Sequence, residues 1–128
     1  MNEVTNPYRE PLKRSLTQHE RDLIRWLIEH GDPGATRLLS QLDRLSVAGK
    51  CTCGCPTIDF ALDGEVVSSK GERVVSDWLA KVDGEPVGVM LFEANGRINS
   101  LEVHSCSGSE RPFGLPSIDS IFDESAGI

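Results

Sequence analysis

The segment VGVMLFEANGRINSLEV, residues 87–103, decides the fold class of this 128-residue chain. Residues 87–92 are apolar at successive positions, which is typical of a central strand that is covered on both faces. The dipeptide Asn95-Gly96 then supplies two residues that tolerate positive φ, the strongest short signal for a two-residue β-hairpin loop. The sequence therefore predicts an antiparallel hairpin that continues through Cys106.

The position of this loop also predicts the register of the hairpin, because paired residues lie symmetrically about a two-residue loop. The expected cross-strand pairs are Ala94 with Arg97, Phe92 with Asn99, Met90 with Leu101, and Val89 with Glu102. Alternation along the returning strand then places on one face Ile98, Ser100, Glu102, His104 and Cys106.

Further extended segments precede the hairpin. Residues 46–51 and 57–62 are expected strands, the second because apolar residues alternate with polar or small ones. Residues 74–82 fit either a helix or a strand, but the Asp83-Gly84 dipeptide that follows favours a strand and a tight connection. The loop between residues 63 and 73 holds a short candidate strand at Val66 and Val67.

The N-terminal part of the chain has helical signals instead. Thr17 and Glu20 have the spacing of a capping box, which predicts a helix from Gln18. Apolar residues then recur at helical spacing until Gly31, a residue that commonly ends helices. Asp32 followed by Pro33 indicates the start of a second helix, whose apolar stripe consists of Leu38, Leu39, Leu42 and Leu45.

These elements predict an α+β fold, in which an N-terminal helical hairpin packs on a four- or five-stranded, mainly antiparallel sheet. We expect a flexible N-terminal arm over residues 1–15, because Pro7 and Pro11 oppose a regular helix there. A single α+β domain is expected over residues 16–124, followed by a flexible tail over residues 125–128.

The charge balance narrows the classes of partner. Thirteen basic residues against twenty acidic ones give a formal net charge of −7, which repels nucleic acid and anionic membranes. A basic protein partner is favoured electrostatically, although acidity also serves ordinary solubility. The sequence shows neither a membrane-spanning apolar run nor a signal peptide, so we expect a cytoplasmic protein with reduced cysteines.

The four cysteines are the candidate metal ligands. Cys51, Cys53 and Cys55 lie at the entrance to a predicted strand, and Cys106 lies at the end of the hairpin. Zinc bound by four thiolates has Zn–S distances of about 2.3 Å, whereas alternate residues of a flat strand stand about 6.6 Å apart. A bend at Gly54 would be needed, and the alternative is that the cysteines pack as small apolar residues.

The expected polar face of the hairpin holds a second candidate group. Glu102, His104 and Cys106 together have the residue types of a nucleophilic site, and Glu102 and His104 are candidate binding residues. Neighbours on one strand face are usually too far apart for the hydrogen bond that a general base needs. A solvated polar strand is the alternative, and an enzyme is the least favoured function.

Several segments together resemble a family of small uncharacterised bacterial proteins. They are residues 16–21, LTQHER; residues 51–60, CTCGCPTIDF; residues 88–92; residues 96–103, with Leu101-Glu102-Val103; and Leu115-Pro116. The resemblance implies one compact domain whose framework includes the cysteine segment and the Leu-Glu-Val strand. It implies no catalytic residue, since similar proteins more often have an aromatic residue at position 104, and the shared pattern does not include Cys106.

The favoured function at this point is a small, acidic, non-enzymatic binding protein, of an immunity or regulatory type, that covers a basic protein partner. The alternative is a zinc-binding protein that uses the segment from Cys51 to Cys55.

Overall fold

The computed structural model describes residues 8–108 and 111–123, and these form an α+β fold built on a large antiparallel sheet. The strands are β1 (Arg9–Ser15), β2 (Leu45–Cys51), β3 (Ile58–Leu62), β4 (Glu65–Val66), β5 (Glu72–Val82), β6 (Glu85–Ala94) and β7 (Arg97–Ser105). Their order across the sheet is β1-β2-β3-β7-β6-β5, and β4 pairs with β3. The sheet is therefore larger than the four or five strands that the sequence predicts.

The predicted hairpin is formed by β6 and β7, and β5 joins it through a second tight loop. Asn95 and Gly96 have φ angles of 53° and 79°, and Asp83 and Gly84 have nearly the same values, 51° and 79°. Two successive residues with positive φ match the twist of antiparallel strands. The ambiguous segment at residues 74–82 is thus a strand.

The register of the hairpin differs from the predicted one beyond its first pairs. Ala94 pairs with Arg97 as expected, but Phe92 pairs with Ser100 because a β-bulge places one additional residue, Asn99, in β7. The predicted pairs Phe92–Asn99, Met90–Leu101 and Val89–Glu102 are therefore each wrong by one residue.

The bulge also changes which side chains share a face. Ile98 is fully buried in the core, together with Leu101 and Val103, whereas Ser100 and Glu102 alternate with these core residues. Ile98 consequently does not lie beside Ser100 and Glu102, as the predicted register required. We use "outer face" for the side of the sheet opposite this core.

Part of the expected N-terminal arm is an edge strand. Arg9–Ser15 forms β1 and pairs with β2, with a register shift between Pro11 and Arg14. Proline opposes a helix, as the sequence indicated, but an edge strand tolerates it because one row of its backbone donors has no partner strand. Residues 1–7, which hold the rest of the predicted arm, and the predicted tail at residues 125–128 lie outside the described residues.

The first predicted helix is confirmed, and the second has a different form. The helix α1 (Gln18–Glu29) begins with the capping box of Thr17 and Glu20. Pro33–Arg44 is a 3₁₀ segment, so the two elements are not a clear helical hairpin. Its buried residues include Ala35, Leu38 and Gln41, which follow the three-residue repeat of a 3₁₀ helix.

Gln41 shows why this segment keeps the shorter repeat. Its side chain is buried, where its Nε2 donates to the carbonyl of Gly96 at 2.7 Å and its Oε1 accepts the N–H of Ile98 at 2.9 Å. The 3₁₀ segment is thereby attached to the loop of the β6–β7 hairpin.

The core lies between the sheet and the two helical elements. Its fully buried large side chains include Leu23, Ile24, Leu27, Ile28, Leu38, Leu42, Val47, Phe60, Val75, Leu91, Ile98 and Leu101. The far edge of the sheet, β5, is joined by the C-terminal segment, in which Phe122 donates its N–H to the carbonyl of Leu79 at 2.8 Å. No helix among the described residues is long and apolar enough to cross a membrane.

Candidate metal centre

The three clustered cysteines lie at the connection between β2 and β3. Cys51 is the last residue of β2, and β3 begins at Ile58. The N–H of Cys51 donates to the carbonyl of Thr57 at 3.1 Å, and the N–H of Thr52 donates to the carbonyl of Tyr8 at 3.0 Å. These bonds close the connection into a compact loop, residues 51–57, which we call the cysteine loop.

Gly54 supplies the bend that a metal site would require. Its φ is +93°, a conformation that residues with a Cβ rarely adopt. A Cβ at this position would also lie 3.1 Å from Cγ of Pro112, so the C-terminal segment leaves little room beside the loop. Because the chain turns here, the separation of about 6.6 Å between alternate residues of a flat strand does not apply.

The bend brings three sulfur atoms together. The Sγ atoms of Cys51, Cys53 and Cys55 all lie within 4.8 Å of one another. Those of Cys51 and Cys53 are 2.8 Å apart and share a hydrogen bond. Cys53 is exposed, whereas Cys51 and Cys55 are partly buried, so the group lies at the surface with one side open to solvent.

The hydrogen bonds within the group shift the pKa values of Cys51 and Cys53 in opposite directions. Burial, together with the hydrogen bond that its thiol shares with Cys53, raises the pKa of Cys51 to about 11. The same bond from Cys51, with the N–H of Cys55 at 3.3 Å from the Cys53 sulfur, lowers the pKa of Cys53. Cys53 therefore ionises before Cys51, and thiolate is the form that binds metals and reacts as a nucleophile.

Thr57 holds the end of the cysteine loop against β7. Its buried hydroxyl accepts the N–H of Val103 at 2.9 Å, donates to the carbonyl of Val103 at 3.1 Å, and lies 3.4 Å from the Cys55 thiol. A hydroxyl has one donor and two acceptor positions, so these three contacts use all of them. Cys55 is thus connected directly to the residue that anchors the loop.

The other sequence-predicted residues lie elsewhere. Cys106 is exposed and does not belong to the group of three sulfurs. His104 pairs across the strands with Gly88, and a Cβ at Gly88 would lie 2.2 Å from Cε1 of its ring, so the imidazole covers that glycine. Glu102 approaches Arg9, with 4.0 Å between Oε1 and Nη2.

Thr57 and Asn99 were not singled out from the sequence. The alternation of residues 57–62 marked Thr57 only as a polar strand position, although a threonine directly after a proline-ended loop is a recognisable site for a side-chain anchor. Nothing local to Asn99 indicates a bulge, because the bulge depends on which neighbours reach the core.

The chain matches no protein-family model, and no curated protein or solved structure is similar to it at the significance required. The family resemblance drawn from the motifs remains a prediction, and function has to be argued from the geometry of the site.

Proposed function

We propose that this protein binds a thiophilic metal ion, zinc in the first instance, through Cys51, Cys53 and Cys55. The observation that carries the proposal is the convergence of three sulfur atoms within 4.8 Å. Among the described residues, these cysteines form the single group of three or more candidate ligand atoms that meets this limit. Three protein ligands with a fourth, exchangeable position are a common arrangement for zinc.

The loop needs only a small adjustment to hold zinc. Tetrahedral thiolates at about 2.3 Å from the ion have their sulfurs about 3.8 Å apart. The sulfurs of Cys51 and Cys53 are 2.8 Å apart, so they would separate by about 1 Å. Cys53 is exposed at the tip of the loop and can make this movement without disturbing the core.

The exposure of Cys53 lets a fourth ligand reach the three sulfurs from solution. Cys55 and Thr57 also line a neighbouring pocket of about 260 Å³. A cytoplasmic setting, which we also propose, would keep the sulfurs reduced and available.

Metal analysis of protein purified without added metal tests the proposal. We expect about one zinc ion per chain, and on substitution by Co²⁺ a thiolate-to-cobalt charge-transfer band. Cys53→Ser should lower zinc affinity by more than the roughly 10–100-fold that loss of an outer partner causes. Cys106→Ser is the matched control, since it also removes a thiol but leaves the three-sulfur group intact.

Two results would overturn the proposal. One is a metal content far below one ion per chain in protein that also fails to take up added Zn²⁺ or Cu⁺ under reducing conditions. The other is equal loss of binding in Cys53→Ser and Cys106→Ser, which would assign the bound metal to scattered thiols.

A basic protein partner, covered in an immunity-type or regulatory role, is the second candidate function. It is supported by the excess of acidic residues, twenty against thirteen basic ones, and it requires no catalytic residue. A pull-down from lysate should enrich a basic protein at low salt and release it at raised salt, since such pairing is screened. Binding that is indifferent to salt would contradict this mechanism.

A further inference from the structure

A cleft of about 670 Å³ lies on the outer face of the sheet, and none of the cysteines lines it. Its floor includes Asp59 of β3 and Ser100 of β7, which are paired across the two strands. One wall is the loop that follows β4, at Ser68 and Ser69. We call this depression the outer-face cleft.

The charged side chains that line the outer-face cleft are mainly acidic. Three carboxylates, from Asp59, Glu72 and Glu102, accompany one guanidinium, from Arg9. Arg9 lies 3.2 Å from an oxygen of Asp59 and 4.0 Å from one of Glu102. Because Arg9 pairs closely with Asp59 and only distantly with Glu102, the carboxylates of Glu72 and Glu102 have no close cation in the cleft. A positively charged group would therefore be attracted there.

Asn99 adds an observation that is independent of charge. The residue is 3% exposed and lines the cleft, and its buried Oδ1 has no hydrogen-bond partner. The positions of Oδ1 and Nδ2 cannot be exchanged, because Nδ2 donates to Oε2 of Glu72 at 2.7 Å and an amide oxygen in that position would be repelled. A buried acceptor without a donor is rare in native proteins, and the β-bulge is what places it in this wall.

The outer-face cleft does not offer a compact metal ion three convergent side-chain ligands. Among the described residues, three Asp, Glu, His or Cys ligand atoms lie within 4.8 Å of one another only at the cysteines. A larger cation with several separated N–H donors would instead reach both a carboxylate and Oδ1 of Asn99. Guanidinium has five donors in a planar fork, and ammonium has three.

From this geometry we propose that the outer-face cleft binds an organic cation through a terminal guanidinium or ammonium group, which donates to the Glu102 carboxylate and to Oδ1 of Asn99. The ligand could be a free small cation or an arginine or lysine side chain, because both present the same chemistry. This proposal does not depend on metal binding by the cysteine loop.

NMR titration with a matched pair of probes tests the proposal. n-Butylguanidinium should shift the side-chain amide resonance of Asn99 and the backbone resonances of Ser100 and Glu102 in a saturable way at millimolar concentrations. n-Butylurea has the same shape without the charge and should leave these resonances nearly unchanged. A capped Gly-Arg-Gly peptide and its citrulline counterpart form the second pair, and tighter binding of the arginine peptide than of n-butylguanidinium would identify a protein side chain as the source.

Glu102→Gln is the decisive variant, because its side chain is partly exposed and the change is isosteric. It should weaken n-butylguanidinium binding about tenfold, as expected when a charge-assisted hydrogen bond is lost. Glu29→Gln makes the same charge change at an exposed position at the end of α1 and should leave binding unchanged.

Three results would overturn the proposal: no saturable shift at Asn99 with either charged probe, equal shifts with n-butylurea, or equal weakening by Glu102→Gln and Glu29→Gln. Saturable binding of Ca²⁺ or Mg²⁺ at Asn99, with no binding of the organic cations, would also overturn it. Zinc content should be the same in both variants, which separates this test from the one for the cysteine loop.

Discussion

The hydroxyl of Thr57 pairs with both backbone groups of Val103, a residue 46 positions away in sequence, by accepting its N–H and donating to its carbonyl. A side chain thus takes the place of a backbone partner just before β3 begins at Ile58. The cysteine loop is therefore fixed at its C-terminal end to a central strand, although its tip at Cys53 is exposed.

Removing this hydroxyl should destabilise the protein. Thr57→Val keeps the shape of the side chain but leaves two buried backbone groups of Val103 without partners, which should cost about 2–3 kcal/mol in the free energy of unfolding. Urea denaturation measures this loss. Thr57→Ser is the control, since it retains the hydroxyl and loses the methyl group, and a larger cost for Thr57→Ser than for Thr57→Val would show that packing by the methyl group, not hydrogen bonding, holds the loop.

The different pKa values of Cys51 and Cys53 predict an order of reactivity in the metal-free protein. Because the hydrogen bond from Cys51 lowers the pKa of Cys53, iodoacetamide should modify Cys53 before Cys51, with its rate rising at a lower pH than for an ordinary thiol. Cys51, with its pKa raised to about 11, should react slowly at neutral pH. Peptide mass spectrometry across a pH series gives the separate rates.

Cys51→Ala provides the check on this mechanism. It removes the hydrogen bond to Cys53, so the rate profile of Cys53 should move to higher pH. Cys106→Ala should leave the profile where it is. An unchanged profile in Cys51→Ala would show that the Cys51 thiol does not control the ionisation of Cys53.

Glu20 should contribute stability that depends on pH. Burial opposes ionisation of its carboxyl, but bonds from Arg14, at 2.7 and 2.8 Å, and from the N–H of Thr17 outweigh burial and lower its pKa. A lowered pKa in the folded state gives stability that is present above the unfolded value, about 4.3, and is lost as pH falls through the folded value.

Glu20→Gln should therefore lower the free energy of unfolding by about 1–3 kcal/mol at pH 7, and by progressively less as the pH falls below about 4. Denaturant unfolding at a series of pH values measures the difference. Glu29→Gln, at an exposed position, should show little effect at any pH. A difference between Glu20→Gln and the unsubstituted protein that is constant down to acid pH would contradict the role given to the ionised carboxylate.

Gly88 and His104 should show strong coupling, because the imidazole occupies the place of a side chain at Gly88. Gly88→Ala should lower the free energy of unfolding by about 1–3 kcal/mol, since the ring has to move from its position on the strand. In a His104→Ala background the same substitution should cost much less. Additive costs in this double-mutant cycle would mean that the ring does not oppose the new methyl group.

The sequence was most informative where a local signal also determines the tertiary structure. Asn95-Gly96 makes the hairpin by its own conformational preference, and the capping box of Thr17 and Glu20 makes the start of α1. The bulge at Asn99 was not predictable from its neighbours, because it arises when Ile98 and Leu101 both turn toward the core. Register errors of this kind reverse the faces of every later residue.

The other differences between the predicted and the observed structure also have physical causes. A stripe of leucines fits a period of 3.6 residues almost as well as one of 3.0, and only the burial of the polar Gln41 distinguishes the two. Pro11 opposes a helix and so suggests an irregular arm, whereas it lies in an edge strand. At the site, the sequence indicates the cysteines as candidate ligands, but the convergence of Cys51, Cys53 and Cys55 depends on the conformation of Gly54.

The two outermost strands of the sheet are the places where a second molecule could pair with this one. β1 carries Pro11 and a register shift, and the exposed edge of β5 is met by Phe122. An uncovered strand edge is a template on which a second molecule can add a strand and begin an aggregate. The short contact between Phe122 and Leu79 therefore occupies part of the β5 edge, and truncation before Ser117 should increase aggregation through β5.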